Sequence, residues 1–235
     1  ATLDGGLKLA RRQLLHNKSL GEYQEQEIAA TKLAIIGMGK GGAGELNYIS
    51  DVDVIFVAEG DGLETARMLE IATKLATRTM RIMDETNIEP GLWQVDANLR
   101  PEGKAGALVR TLDSHLAYYA RWAENWEFQA LIKANPIAGD IELGNKYRDS
   151  LQSLIWQSSK RENFVESVQA MRERVTANIP SEELDRQIKL GVGGLRDIEF
   201  TVQLLQLVHG RDDDSVHAPD TLTAIKQLST AGYIG

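Results

Sequence analysis

The sequence predicts an α+β protein: a mixed β-sheet with helices, followed by a C-terminal helical domain. Three observations carry that expectation. Short apolar runs bounded by glycine or acids recur up to about residue 97. Helical periodicity dominates after the turn-rich segment Arg100 to Gly106. The change between the two patterns falls near Pro136-Ile137-Ala138-Gly139, which is the expected domain boundary.

In chain order, Leu7 to Leu15 is a short amphipathic stretch, followed by the polar run Glu22 to Glu27. Leu33 to Ile36 is apolar and ends in glycine, as a buried strand does. Val52 to Val57 reads as the second strand. Apolar or small residues at Met68, Ile71, Ala72, Leu75, Ala76, Thr79, Ile82 and Met83 mark one face of a helix spanning Leu63 to Glu85. Asn87 to Gly91 breaks it, and Leu92 to Ala97 reads as a third strand. No strand is expected beyond this point. Helices are expected at Leu112 to Ala134, Glu142 to Ile155, through Phe164, Val168, Met171 and Val175, at Leu195 to His209 and at Thr221 to Leu228. The expected domains are residues 1–29, a helical leader; 30–138, the sheet-bearing core; and 139–235, the helical domain.

Bulk properties narrow the function. With 235 residues, 43% hydrophobic and 26% charged, the chain can bury a substantial core. No apolar stretch approaches the roughly 18 residues of a membrane span. Cysteine is absent, which excludes disulfides and thiolate metal sites and fits the cytoplasm. A net charge of −8 disfavours wholesale binding of nucleic-acid backbones. The opening Ala1-Thr2-Leu3-Asp4-Gly5-Gly6 is not a signal peptide, and the chain is expected to be a piece of a longer polypeptide.

The chemistry is expected at Asp51-Val52-Asp53, at the head of the second strand and just after the stretch Gly37 to Gly42. Residues two apart in a strand project to one face, so both carboxylates point one way and Val52, Val54 and Phe56 the other. Two acids held together repel, and a divalent cation between them relieves that repulsion. Asp96, on the expected third strand, supplies a third carboxylate; the three would cradle two Mg²⁺ ions in a nucleotidyl-transfer site. As acids capping a turn, Asp51 and Asp53 would look ordinary, but the glycine loop and the third acid favour the metal site.

Small residues at Gly39, Gly41 and Gly42 let backbone N–H groups approach a phosphate. Ser50 is placed to donate to a phosphate oxygen or to cap the next turn. The basic candidates for phosphate neutralisation are Lys40, Arg100, Lys104 and Lys133. Gly37-x-Gly39-x-x-Gly42 has the spacing of a dinucleotide fingerprint. Only Ala43 to Ser50 separates the last glycine from Asp51, too few residues for the required crossover helix. A Walker loop fails as well, because no Ser or Thr follows Lys40 at the required spacing. His16, His115, His209 and His217 show no metal-ligand spacing, and Trp122 with Trp126 reads as helix packing.

Four ordered blocks are more specific than any single motif: Ile36 to Asp53, Val95 to Pro101, Trp126 to Ala134 and Gly193 to Phe200. Together they resemble the glutamine synthetase adenylyltransferase/adenylyl-removing family, within the DNA polymerase β-like nucleotidyltransferase superfamily, whose members carry two such catalytic halves. The resemblance implies a nucleotidyltransferase-fold core with the active cleft against the helical domain. It implies Asp51, Asp53 and Asp96 as metal ligands for Mg²⁺ and singles out Arg100 and Lys133 as phosphate contacts. Asn47 and Arg196 resemble the N-terminal, adenylyl-removing half.

The implied reaction is phosphorolytic removal of AMP from a tyrosine of glutamine synthetase, with phosphate entering and ADP leaving. Adenylylation from ATP is the nearest alternative, and a non-catalytic nucleotide-binding regulatory module is an alternative of another class. The implied partners are glutamine synthetase, a PII-type signal protein, ATP or ADP, and phosphate; neither nucleic acid nor membrane is among them.

The sequence departs from the family pattern at Gly41, Ala43, Gly44, Asn98 and Asn135, the last three standing where arginine is usual. Glu199 lies on a helix that reads as apolar nearly all round, where a carboxylate needs a partner. Arg196 or another arginine is expected to supply it, in preference to contact with the active site. Gly193-Gly194 precedes this helix, whose N-terminus suits an anion.

Overall fold

The computed structural model describes residues 1–48, 50–85, 91–177 and 187–235, and of Val175, Thr176 and Ala177 only the backbone. Ile49 and most of the expected helix break at Asn87 to Gly91 therefore lie outside the described residues. Two compact units make up the chain. One comprises Ala1–Trp122 and Lys133–Leu151, the other Ala123–Ile132 and Gln152–Gly235.

The first unit is built on five strands: β1 (Thr31–Gly37), β2 (Val52–Gly60), β3 (Val95–Asp96), β4 (Val109–Thr111) and β5 (Asn135–Gly139). The sheet order is β3-β2-β1-β5, with β4 also paired to β2. Strand β1 is antiparallel to both β2 and β5, whereas β3 and β4 run parallel to β2 along its other edge. The sheet is thus mixed, as the sequence predicts.

Its central strands are buried on both faces, consistent with their unbroken apolar runs. One face packs on α4 (Thr65–Asp84) and α1 (Thr2–His16). Glu64 caps α4 by accepting from the amides of Ala66 and Arg67. The helix buries Met68, Ile71, Ala72, Leu75, Ala76, Thr79 and Met83, the predicted face save for Ile82. Leu3, Leu7, Ala10 and Leu14 of α1 join the same core.

Three expectations change. The third strand shrinks to Val95–Asp96, because the amides of Leu92 and Trp93 donate to the Met83 carbonyl at the end of α4 and not to a neighbouring strand. The single helix expected over Leu112 to Ala134 is two: α5 (Leu112–Arg121) and α6 (Asn125–Leu131). Glu124 starts the second through a reciprocal capping box with Glu127, a signature easily missed without Ser or Thr at its head. Strands also occur beyond residue 106. Strand β4 is too short for periodicity to register. Strand β5 contains Pro136, which an edge position tolerates.

In the second unit, α6 packs with α8 (Phe164–Ala177) and α9 (Leu195–His209). Val202, Val216, Ala218, Ala224 and Leu228 form a further core where α9 meets α10 (Thr221–Thr230). Helix α7 (Ile141–Gln157) contributes residues to both units. Leu195 and Ile198 are exposed, so α9 is not apolar-packed all round.

Candidate functional site

Strand β1 ends at Gly37, and a short helical turn, α3 (Gly39–Gly42), follows at once. Gly39 has φ +48°, a conformation glycine adopts without steric cost. Gly42 fits for a different reason. A Cβ there would lie 1.9 Å from the Lys133 carbonyl oxygen and 2.3 Å from that of Gly37. The Met38 amide donates to the Asp53 carbonyl at 2.8 Å, fastening the turn to the start of β2. At the head of α3 stand the amides of Gly39, Lys40 and Gly41, where a helix has no internal acceptors to offer.

The acids follow. The Val52 amide donates to the Gln94 carbonyl at 2.9 Å, and β2 then pairs with β3 so that Val52 faces Val95 and Asp53 faces Asp96. Val52 and Val95 are buried, whereas Asp53 and Asp96 are half-buried on the alternate face. Asp51 is exposed and precedes the strand. The Asp53 carboxylate reaches the glycine turn: its Oδ2 lies 3.2 Å from where a Gly39 Cβ would stand.

Asp96 has donors of its own. Its Oδ1 accepts from the Asn98 amide at 2.6 Å and its Oδ2 from the Asn98 side-chain amide at 2.9 Å. Among the described residues, no three acidic, histidine or cysteine side chains stand close enough as they lie to hold a metal ion. The donor set nevertheless suits a hard cation such as Mg²⁺: oxygen only, from two aspartates that are register partners on adjacent strands.

Among the expected basic contacts, Lys133 is 3% exposed, and its ammonium pairs with Glu45 Oε2 at 2.9 Å. Lys40 donates to Asn47 Oδ1 at 3.3 Å, and the Ser50 hydroxyl donates to the Asp51 carbonyl at 3.1 Å. The Arg100 guanidinium is spent on backbone. It donates to the carbonyls of Ala97, Lys104 and Gly106 and so braces the loop between β3 and β4. Burial lowers its pKa from the ordinary value, and the Asp96 charge opposes that shift. A cleft of about 460 Å³ opens beside β3, lined by Arg81, Asp84, Gln94, Asp96, Asn98 and Arg100 among others.

Arg196 and Glu199 lie on α9 in the other unit, both half-buried. On that helix Asp197 pairs with Arg172 of α8 and accepts from the Gly193 amide at 2.6 Å. The arginine, chiefly, holds its carboxyl below the usual carboxylate range. Glu45 and Asn98 are the site residues that motif reading leaves without a role. Neither has a periodicity or spacing to betray it, since each acts on a partner fixed only by folding.

Residues 1–150 match the family Glutamate-ammonia ligase adenylyltransferase, and residues 164–235 match GlnD PII-uridylyltransferase. Similar curated proteins are bifunctional glutamine synthetase adenylyltransferase/adenylyl-removing enzymes. That of Leifsonia xyli subsp. xyli is 59% identical over 100% of this chain and 24% of its own length. Those of Streptomyces avermitilis and Bifidobacterium longum subsp. infantis are 59% and 48% identical over 89% and 100% of this chain, and 21% of their own lengths. The chain thus spans about a quarter or less of the length of these relatives.

Proposed function

Because the chain belongs to the glutamate-ammonia ligase adenylyltransferase family, we propose that it removes AMP from an adenylylated tyrosine of glutamine synthetase by phosphorolysis. The observation that carries this reading is the opposition of Asp53 and Asp96 across β2 and β3, beside the glycine turn. The choice of the removing direction rests on Asn47 and Arg196.

An oxygen of inorganic phosphate attacks the adenylyl phosphorus as the bond from phosphorus to the tyrosine oxygen breaks. The electron pair passes to the phenolic oxygen, which takes up a proton; ADP and free tyrosine result. The family's nucleotidyltransferases are typically metal-dependent, and Asp51, Asp53 and Asp96 would hold Mg²⁺, two ions in the fullest arrangement. When bound, the cation supplies positive charge to the phosphoryl oxygens.

The chain's own groups do the positioning. Amides of Gly39, Lys40 and Gly41 line the phosphate approach, Gly42 lets the turn close against the Gly37 and Lys133 carbonyls, Ser50 adds a hydroxyl, and Lys133 and Lys40 add charge. Arg100 contributes through the loop it braces. Alignment of the attacking and leaving oxygens supplies most of the rate. The likeness of residues 164–235 to a PII-uridylyltransferase supports a PII-type protein as the signal partner.

The test is incubation of this chain with adenylylated glutamine synthetase, phosphate and Mg²⁺, followed by chromatography for ADP. ADP release dependent on phosphate is the expected outcome. AMP incorporation from ATP with pyrophosphate release, and no ADP in the first assay, overturns the direction. Nucleotide binding without turnover in either assay overturns catalysis.

A further inference from the structure

We propose that the groove between α4 and β3 holds an extended segment of the substrate polypeptide next to its target tyrosine, laid along the outer edge of β3. The inference deepens the function proposed above and rests on its protein substrate.

Both walls of the groove belong to the first unit. The amides of Leu92 and Trp93 donate to the Met83 carbonyl and so fasten the chain entering β3 to the end of α4. Between helix and strand lies the cleft of about 460 Å³. One wall is Thr77, Met80, Arg81 and Asp84 of α4, whose spacing puts all four on one face of the helix. The other is the run Gln94, Val95 and Asp96.

That second wall is the end of the sheet. Among the described residues β3 pairs only with β2, and no strand covers its outer edge. The Gln94 carbonyl accepts from the Val52 amide. Backbone groups alternate between the two edges along a strand, so those of Val95 point away from β2. Such an edge accepts an extended chain as a further strand, with main chain supplying affinity and flanking side chains specificity. Arg81 and Asp84 stand exposed one helical turn apart and offer opposite charges. Neither forms an ion pair among the described residues. Met80 and Leu108 add apolar surface between the walls.

Position selects the occupant. Asp96 lines the groove and is also the register partner of Asp53. A chain laid along Val95 therefore leads directly to the proposed reaction site, where its tyrosine must arrive. Among the described residues no aromatic ring lines the cleft, so it lacks the stacking platform that favours a nucleotide base.

Surface plasmon resonance tests this, with adenylylated glutamine synthetase passed over the immobilised wild-type chain, Arg81→Glu and Thr77→Trp. Calorimetry of ADP binding to the same three proteins runs in parallel, and circular dichroism confirms that each variant is folded. Arg81→Glu reverses a charge at the rim and is expected to weaken protein binding about five- to tenfold. Thr77→Trp fills the groove and is expected to weaken it by about tenfold or more. ADP affinity should not change. Absent binding by the wild type, or unchanged binding in both variants, overturns the proposal. Weaker ADP binding with protein binding unchanged also overturns it and gives the groove to the nucleotide. Weaker protein binding in both variants supports the groove even where the wild-type chain releases no ADP, an outcome that sinks phosphorolysis alone.

Discussion

Asp53 and Asp96 face each other across the parallel strands β2 and β3, although 42 residues separate them in sequence. Direct partners on adjacent strands project to one face about 5 Å apart, close enough for two like charges to destabilise each other unless something positive intervenes. If that arrangement serves catalysis, its removal separates activity from stability. Asp53→Asn and Asp96→Asn are each expected to lower phosphate-dependent ADP release by about a hundredfold or more, the scale of several kcal/mol of transition-state stabilisation. The melting temperature should stay level or rise, because like-charge repulsion is relieved. Parallel loss of melting temperature and activity would assign these acids a structural duty instead.

The glycine turn yields a prediction with an internal control. A methyl group at Gly42 meets the carbonyl oxygens of Lys133 and Gly37 at 1.9 and 2.3 Å, which backbone cannot yield without displacing β1 or β5. At Gly41 the nearest atom to a new Cβ is Cγ1 of Val52 at 3.7 Å, ordinary van der Waals contact. Gly42→Ala is therefore expected to cost about 3 kcal/mol or more, at the upper end of overpacking changes. Gly41→Ala should lie within about 1 kcal/mol of wild type, since alanine is the better helix former. Urea midpoints of the two variants measure the difference; equal midpoints would contradict the close approach.

How much of this was legible beforehand differs by residue, for physical reasons. Strands β1 and β2 and helix α4 were readable because burial on one face or both imposes a period or an unbroken apolar run. The pairing of Asp53 with Asp96 was an inference about neighbours, and the register that makes them partners resides in backbone hydrogen bonding invisible to composition. Strand β5 escaped because Asn135-Pro136 reads as punctuation, although an edge strand accepts proline. The split between α5 and α6 escaped because Glu124 is an unusual head for a capping box. In the site, the residue types were legible and their engagements were not. Arg100 was expected to meet phosphate but donates to three carbonyls, and Glu45 acquires a role only by standing 2.9 Å from Lys133.

That ion pair gives a prediction about energetics. Lys133 is 3% exposed and Glu45 28% exposed, so solvent screens the ammonium little. Removing one partner of a desolvated pair leaves the other short of compensation, whereas removing both restores much of the loss. A double-mutant cycle of Lys133→Met and Glu45→Gln is expected to give a coupling energy of about 1–3 kcal/mol in urea unfolding. Coupling below about 0.5 kcal/mol, the value typical of exposed pairs, would show that the pair does not help hold the loop after α3 to the start of β5.

His115 on α5 predicts a pH dependence of stability. Its side chain is 1% exposed, lies edge-on to Tyr147 at 5.2 Å and stacks on Tyr119 at 6.1 Å. Its Nε2 stands 3.5 Å from the Phe56 carbonyl, and its Nδ1 has no hydrogen-bond partner. Burial pushes the imidazole from 6.5 down to about 4, with the Phe56 carbonyl opposing the shift. Between those two values the unfolded chain binds a proton that the folded chain excludes, so stability falls as pH drops through the window and is level above it. At about 1.4 kcal/mol per pH unit, the loss attributable to this residue approaches about 3 kcal/mol by pH 4. Urea unfolding of wild type and His115→Phe at half-unit steps from pH 8 to pH 4 isolates it, because carboxylate titrations are common to both chains. Wild type should lose stability relative to the variant below about pH 6.5. Parallel curves across that interval would mean that the imidazole takes up its proton in the folded state and is not shielded as the packing of Tyr119 and Tyr147 implies.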